Sequence, residues 1–230
     1  MQRLTLQDEV FWTTEGDKWF RRNRNSLVDP SRLDQDFVLQ MLEQLPVRPQ
    51  NVVEIGASNG YRLAEIQHRY GSRCLAIEPS EEAITDGRQA YPNVEFRRGL
   101  AHDLPINSDE AFDVVIVNFV FHWIDRALLM RSVAEVDRVV QEGGYLILGD
   151  FLPDFPTRVR YHHLQDQDMY TFKQDYAAIF TDSNIYSTLL YLTYDHEHTK
   201  LIPVTNSMIR CVLTCLQKTL DDRYVIAMPP

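Results

Sequence analysis

No stretch of this 230-residue chain approaches the roughly 18 to 20 uncharged apolar residues that a membrane helix needs, so no membrane span is expected. A secretory leader is not expected either, because Asp8 and Glu9 precede any apolar run, and the expected location is cytoplasmic. Basic residues are outnumbered, 23 against 33 acidic ones, giving a formal net charge of -10. A protein that tracks a nucleic-acid backbone normally carries a basic surface, so nucleic acid is not an expected partner, and Arg21, Arg22 and Arg24 form only a local basic patch. Cysteine is scarce: Cys74, Cys211 and Cys215 are odd in number and lack metal-ligand spacing, which points to buried reduced thiols and to no metal. No internal repeat and no low-complexity tract is present. What remains is an ordinary globular composition, 44% hydrophobic, long enough to bury a full core within one domain over residues 1–230. Oligomeric state is not legible.

The strongest local pattern is Asn51 to Gly60, N-V-V-E-I-G-A-S-N-G. Val52, Val53 and Ile55 are β-branched, as a strand buried on both faces prefers. Gly56 and Gly60 permit backbone angles that a Cβ disfavours. From Tyr61 the period changes, with Leu63, Ile66 and Tyr70 at helical spacing. The stretch therefore reads as strand, tight turn and helix start, an arrangement whose unpaired amides and positive dipole end suit a bound nucleoside.

Around it, residues 1–45 read as helical, with Trp12, Trp19 and Phe20 early. Phe37, Leu39, Met41, Leu42 and Leu45 then fall in a helix that Asp34 is placed to cap, before Pro46 and Pro49 end the pattern. Arg73 to Ile77 predicts a second strand ending at Glu78, Val94 to Phe96 a third, Phe112 to Val117 a fourth and Tyr145 to Leu148 a fifth. Between the last two lies a helix of Leu128, Leu129, Val133, Val136 and Val140 that stops at Gly143-Gly144. Strands alternating with helices imply right-handed βαβ units and a parallel sheet covered on both faces, with ligands beyond the carboxyl ends of the strands. Tyr170 to Phe180 reads as an amphipathic helix in which Lys173 and Tyr176 share a face. Tyr186 to Tyr194 and Met208 to Gln217 most simply pair as an antiparallel hairpin.

Glu78 lies about 20 residues past the glycine turn, where an acid can accept hydrogen bonds from both ribose hydroxyls. A dinucleotide fingerprint needs Gly-x-Gly-x-x-Gly, but Ser58 stands at its middle glycine, which disfavours a pyrophosphate. From the turn and Glu78 alone, an NAD-dependent dehydrogenase or epimerase and a non-catalytic nucleoside-binding module stay open.

The motifs E-I-G-A-S-N-G, A-I-E-P-S, G-L-A-H-D-L-P, F-D-V-V-I-V-N-F-V-F-H-W and E-G-G-Y-L-I-L follow one another over residues 50–150. Their order resembles that of class I S-adenosylmethionine-dependent methyltransferases. The resemblance implies an α/β, Rossmann-like, doubly wound, seven-stranded, mostly parallel sheet of order 3-2-1-4-5-7-6 with an antiparallel C-terminal hairpin. It implies S-adenosyl-L-methionine as cofactor. It divides the chain into a helical extension or lid (1–48), a cofactor-binding core (50–150), a substrate-side insertion (151–185) and the hairpin (186–218). Glu54, Gly56, Ala57, Asn59 and Gly60 would face methionine and ribose, Glu78 would hold the ribose, Pro79 would pack on adenine and Asn118 would close the methionine side. Many relatives carry Gly-Asp-Ala where this chain has Gly99-Leu100-Ala101, so adenine recognition falls to backbone near Ala101, or to His102 or Asp103. Trp19 and Arg22, or Asn23, would close over the cofactor and its carboxylate.

F-W-T-T-E-G-D-K-W-F-R-R-N near the start and Y-T-F-K-Q-D-Y later also resemble methyltransferases found with bacterial sugar and surface-polysaccharide genes. The acceptor expected from this is a small polar molecule, a sugar or sugar phosphate, methylated on oxygen. Neither an Asn/Asp-Pro-Pro-Tyr signature nor a Pro-Cys pair is present, which disfavours amide-nitrogen and cytosine-carbon acceptors. Methyl transfer is an in-line displacement served chiefly by alignment and exclusion of water. A sugar hydroxyl also needs its proton removed, and His122, just past the fourth strand, is the candidate base; its alternative role is to pack or orient the cofactor. Tyr170, Lys173 and Tyr176 are the substrate-side candidates, alongside His162, His163 and Asp175. His196 and His198 in D-H-E-H read as a solvated loop rather than a metal site.

Overall fold

A computed structural model describes residues 5–27, 33, 35–164, 168–197, 204, 206–220 and 224. A seven-stranded sheet runs β3-β2-β1-β4-β5-β9-β8. Its strands are β1 (Asn51–Ile55), β2 (Arg73–Glu78), β3 (Glu95–Arg98), β4 (Phe112–Asn118), β5 (Val140–Phe151), β8 (Tyr186–Asp195) and β9 (Arg210–Lys218). The first five pair in parallel, while β9 pairs antiparallel with both β5 and β8. The order is the expected one, with two further strands intervening before the hairpin. Those two, β6 (Thr157–Arg160) and β7 (Tyr170–Lys173), form a separate antiparallel pair.

Because side chains alternate across a strand, each central strand feeds two cores. Val53, Ile55, Val115, Val117, Leu146 and Leu148 meet α6 (Leu129–Val139) and α7 (Ala177–Thr181) on one face. Val52, Val114, Ile116 and Ile147 meet α3 (Phe37–Leu42), α4 (Tyr61–Tyr70) and α5 (Glu81–Ala90) on the other. Val114 through Val117 are fully buried, and each such side chain contributes about 1.5–3 kcal/mol through burial. The three cysteines are free and buried among these strands, where burial pushes the thiols of Cys74 and Cys215 up to about 12.

The N-terminal helices run on from one another: α1 (Leu6–Val10), a π-helical turn at Phe11–Glu15 and α2 (Gly16–Leu27). Thr5 and Asp8 form a reciprocal cap for α1. At α3 the cap is Asp36, whose Oδ1 accepts from Val38 N at 2.9 Å and Leu39 N at 3.2 Å; Asp34, the expected cap, lies outside the described residues. The helix expected before β5 ends at Val139 rather than at the glycine pair, since Val140 already pairs with Phe112. The helix expected over Tyr170 to Phe180 is corrected. Tyr170–Lys173 is a strand paired with Thr157–Arg160, and only Ala177–Thr181 is helical, because long-range pairing overrides the local spacing of Phe172, Tyr176 and Phe180. Among the described residues no helix is long and apolar enough to cross a membrane.

Candidate functional site

The carboxyl ends of β1, β2, β4 and β5 open onto a cavity of about 780 Å³. The turn after β1 forms one wall. Gly56 and Gly60 take φ of 75° and 74° there, and Ser58, with φ of 51°, is held in the same region despite its Cβ. Gly56 N donates to Ile77 O at 2.8 Å, which ties the turn to β2. Ser58 N then donates to Glu78 Oε2 at 2.8 Å, and Ser80 N to Oε1 at 2.9 Å. Ser80 also caps α5 through Ala83 N and donates its hydroxyl to Asp17 Oδ1 at 2.6 Å, so α2, α5 and the Glu78 carboxyl are fixed together. Burial raises the Glu78 carboxyl to about 7, against the pull of the two amides. Each oxygen keeps a lone pair for a further donor.

Glu54 faces the same cavity and pairs with Arg62, whose Nε reaches Asp36 Oδ2 at 2.9 Å. Burial raises the Glu54 carboxyl and the Arg62 charge opposes that shift. Three buried oxygens that line it, Glu54 Oε2, Ser58 Oγ and Asn118 Oδ1, have no hydrogen-bond partner among the described residues. Ala57, Pro79 and Ala101 complete the apolar lining, and His102 and Asp8 lie above it, His102 Nδ1 3.7 Å from Asp8 Oδ1. Trp19 and Arg22 face the cavity from α2. Arg22 is held by the fully buried Glu15, at the end of the π-helical turn, and donates to the Tyr161 hydroxyl at 2.8 Å.

The opposite wall begins at Phe119, which takes φ of 57° directly after β4. His122 follows on a 3₁₀ turn, Phe121–Trp123, and is 4% exposed. Its backbone N donates to Asp150 Oδ2 at 3.1 Å, and its Nδ1 lies 3.0 Å from Asp150 Oδ1. Asp150 Oδ1 also accepts from Phe151 N at 2.7 Å. The Phe151 ring stands edge-on to His122 with centroids 5.2 Å apart, and Lys173 Nζ sits 3.7 Å from its centroid. His196 packs on the same ring at 4.9 Å.

The structure gathers Glu54, Gly56, Ala57, Glu78, Pro79, Ala101, Asn118, Trp19, Arg22, His122 and Lys173 around one cavity. Four expected residues are placed elsewhere. Asn59 turns away to Asp86 Oδ2 at 2.9 Å. Gly60 is required by packing, since a Cβ there would stand 2.7 Å from Phe96 Cζ. Tyr170 donates to Asp168 at 2.9 Å and packs under Arg158. Tyr176 is a core residue: it stacks on Phe121, accepts from Arg126 at 3.1 Å and donates to the Phe172 carbonyl. His163 and His162 line the cavity beside Tyr161, while Asp175 caps the start of α7. His198 lies outside the described residues. Sequence reasoning missed Arg62 and Asp36, which emerge only when α3 and α4 are packed together. It also missed Asp150, which ends β5 as Glu78 ends β2, so the rule placing ligands at carboxyl strand ends could have found it.

Residues 53–148 match the family model of a methyltransferase domain. A probable S-adenosylmethionine-dependent methyltransferase of Mycolicibacterium smegmatis is 30% identical over 171 residues, 74% of this chain and 57% of that protein. An uncharacterized methyltransferase of Mycobacterium tuberculosis is 32% identical over 102 residues, 44% of this chain and 40% of that protein. The chain thus spans less than two thirds of the length of these curated relatives. Among solved structures, the 1,6-didemethyltoxoflavin-N1-methyltransferase of Burkholderia thailandensis, bound to its acceptor and S-adenosylhomocysteine, has a TM-score of 0.68 at 14% identity, covering 95% of this chain and 93% of that one. The N-methyltransferase NodS of Bradyrhizobium japonicum, in complex with S-adenosylhomocysteine, has a TM-score of 0.60 at 13% identity, covering 88% and 98%. At these identities the structural likeness establishes the fold. The methyltransferase match itself is confined to residues 53–148.

Proposed function

Starting from the class I methyltransferase family that the match over residues 53–148 supports, we propose that this protein transfers a methyl group from S-adenosylmethionine to an oxygen of a small polar acceptor, a sugar or sugar phosphate. The observation that carries the donor is the buried Glu78 carboxyl, fixed by Ser58 N and Ser80 N and facing a cavity that also holds three unpartnered oxygens. A molecule with vicinal hydroxyls and an ammonium group would satisfy those atoms. Glu78 would hold the ribose, Pro79 and Ala101 the adenine, and Glu54, Asn118 and Arg22 the methionine end. The donor, when bound, supplies an electrophilic methyl group. The residues around it align the partners and exclude water.

The oxygen acceptor rests on His122 and Asp150. Asp150 accepts the backbone amide of the same histidine, which fixes the turn that carries the ring, and its Oδ1 lies 3.0 Å from Nδ1 without a hydrogen bond between them. His122 would remove the hydroxyl proton as the new bond forms. Aromatic faces at Phe119, Trp123 and Phe151 suit the apolar faces of a sugar ring.

Calorimetry with S-adenosylmethionine, S-adenosylhomocysteine and NAD tests the donor, and binding of neither sulfur nucleoside would refute it. For the base, His122→Ala should lower turnover about 10²- to 10⁴-fold with little change in donor affinity, read as S-adenosylhomocysteine released over a panel of sugar acceptors. Equal losses in turnover and affinity would assign His122 to orienting the donor.

A further inference from the structure

We propose that the acceptor carries an oxyanion, a carboxylate or phosphate, and that Lys173 is the residue that recognises it. The position of the donor in this inference rests on the methyltransferase reading; the charge of the acceptor does not. Lys173 ends β7 and reaches into the cavity beside Phe151. Its ammonium donates to the Met208 carbonyl at 3.2 Å and lies over the Phe151 ring, and no carboxylate pairs with it among the described residues. An ammonium held between a carbonyl and an aromatic face has lost part of its water, and the attraction of Asp150 offsets only part of that loss. Burial accordingly lowers its pKa.

Two imidazoles stand beside it. His196 and His122 pack on the same Phe151 ring. The His196 imidazole is pushed downward first by burial, then by the charges of Lys173 and His122, and the opposing attraction of Glu197 and Asp195 is smaller. The acids nearby are Asp150, whose two oxygens accept from the backbone amides of Phe151 and His122, and, beside His196, Asp195 and Glu197. At the other end of the cavity four carboxyls, Glu54, Glu78, Asp36 and Asp8, stand with two arginines, Arg62 and Arg22, and Arg62 pairs with Glu54 and Asp36. The ammonium of Lys173, with no ion-paired carboxylate among the described residues, is what marks the Phe151 end. In a chain of net charge -10, a small anion is repelled by most of the surface and stabilised at the Lys173 end. An oxyanion accepting a charge-assisted hydrogen bond from Lys173 would give the ammonium the ion-paired partner it lacks among the described residues.

The experiment is calorimetry on protein saturated with S-adenosylhomocysteine, titrated with inorganic phosphate in one arm and benzoate in the other. It compares wild type, Lys173→Met and Lys173→Arg. The expected result is that one oxyanion binds the wild type and binds Lys173→Met about tenfold or more weakly, the effect of removing a charge-assisted hydrogen bond. Lys173→Arg should restore binding, and all three proteins should hold S-adenosylhomocysteine with affinities within about a factor of two, too small a difference to be a lost contact. The arm that responds distinguishes phosphate from carboxylate. Failure of both oxyanions to bind wild type, undiminished binding by Lys173→Met, or an arginine variant as weak as the methionine one would overturn the assignment. Failure to bind S-adenosylhomocysteine would instead strike the donor reading, and the oxyanion titrations, repeated without it, would still decide the charge of the acceptor.

Discussion

Lowering the pH from 8 to 6 should weaken binding of S-adenosylhomocysteine to this protein, and Glu78 sets the size of the effect. Burial holds its carboxyl at about 7 in the folded chain, against an ordinary 4.5. Ribose hydroxyls donate to a carboxylate far better than to a carboxylic acid, so the binding-competent fraction is the ionised one. With a pKa near 7, that fraction is about 0.9 at pH 8 and about 0.1 at pH 6, which makes the expected loss of affinity about tenfold, or about 1.4 kcal/mol. Binding near pH 6 should then release close to one proton per molecule bound. Calorimetry at both pH values, in buffers of different ionisation enthalpy, measures affinity and proton release together. Glu78→Gln removes the titrating group, and its affinity, weaker throughout, should be level across this range. A pH-independent affinity in the wild type, or the same slope in the glutamine variant, would refute the placement of ribose on Glu78. Stability follows the opposite direction. Because the folded pKa lies above the unfolded one, the folded chain keeps its proton while the unfolded chain loses it, so stability falls as pH rises between 4.5 and about 7. The total cost is about 3 kcal/mol above that window, and bound donor offsets it.

Arg62→Met should destabilise the fold by about 3–5 kcal/mol in urea denaturation, since it leaves Glu54 and Asp36 as uncompensated buried charges; adding Glu54→Gln and Asp36→Asn to the same chain should recover part of the loss. Gly60→Ala should cost about 1–3 kcal/mol in the same assay, because the new Cβ meets Phe96 at a positive φ, and an unchanged midpoint would show that the turn relaxes freely.

The sheet was legible because its signals are local and redundant. β-branched runs mark β1, β2 and β4, the glycine turn marks the switch from period 2 to period 3.6, and the spacing to Glu78 marks where β2 ends. The hairpin was legible from the short polar link between two apolar runs. The pair β6–β7 was not. Thr157–Arg160 alternates Thr157 and Val159 with Arg158 and Arg160, but over only four residues in a Pro- and Arg-rich stretch, and in its partner Phe172 stands at helical spacing to Tyr176 and Phe180, so the β6–β7 pairing depends on contacts that no local window contains. The ion pairs were equally hidden. Glu54 and Arg62 are eight apart on a strand and a helix, and only the sharp reversal at Gly56–Gly60 brings them together. Phe119 with positive φ carries no sequence signal at all, since the strain is imposed by its Gly149 and His122 neighbours rather than by its own chemistry.

Those neighbours explain why the two halves of the cavity meet where they do. Asn118 pairs in register with Gly149, and a Cβ at 149 would run into Asn118 Oδ1, so a glycine is needed for β4 and β5 to end side by side. Phe119 N donates to Gly149 O at 2.8 Å, and this bond turns the chain out of β4 into the 3₁₀ segment that carries His122. One residue beyond Gly149, Asp150 takes the backbone amide of that same histidine. Asn118 therefore lies against Gly149 at the mouth of the cavity, and His122 stands edge-on to Phe151, the ring that Lys173 covers. A donor held at Glu78 and a nucleophile held at the Lys173 end would meet along this seam, where in-line alignment requires them to be rigid relative to each other.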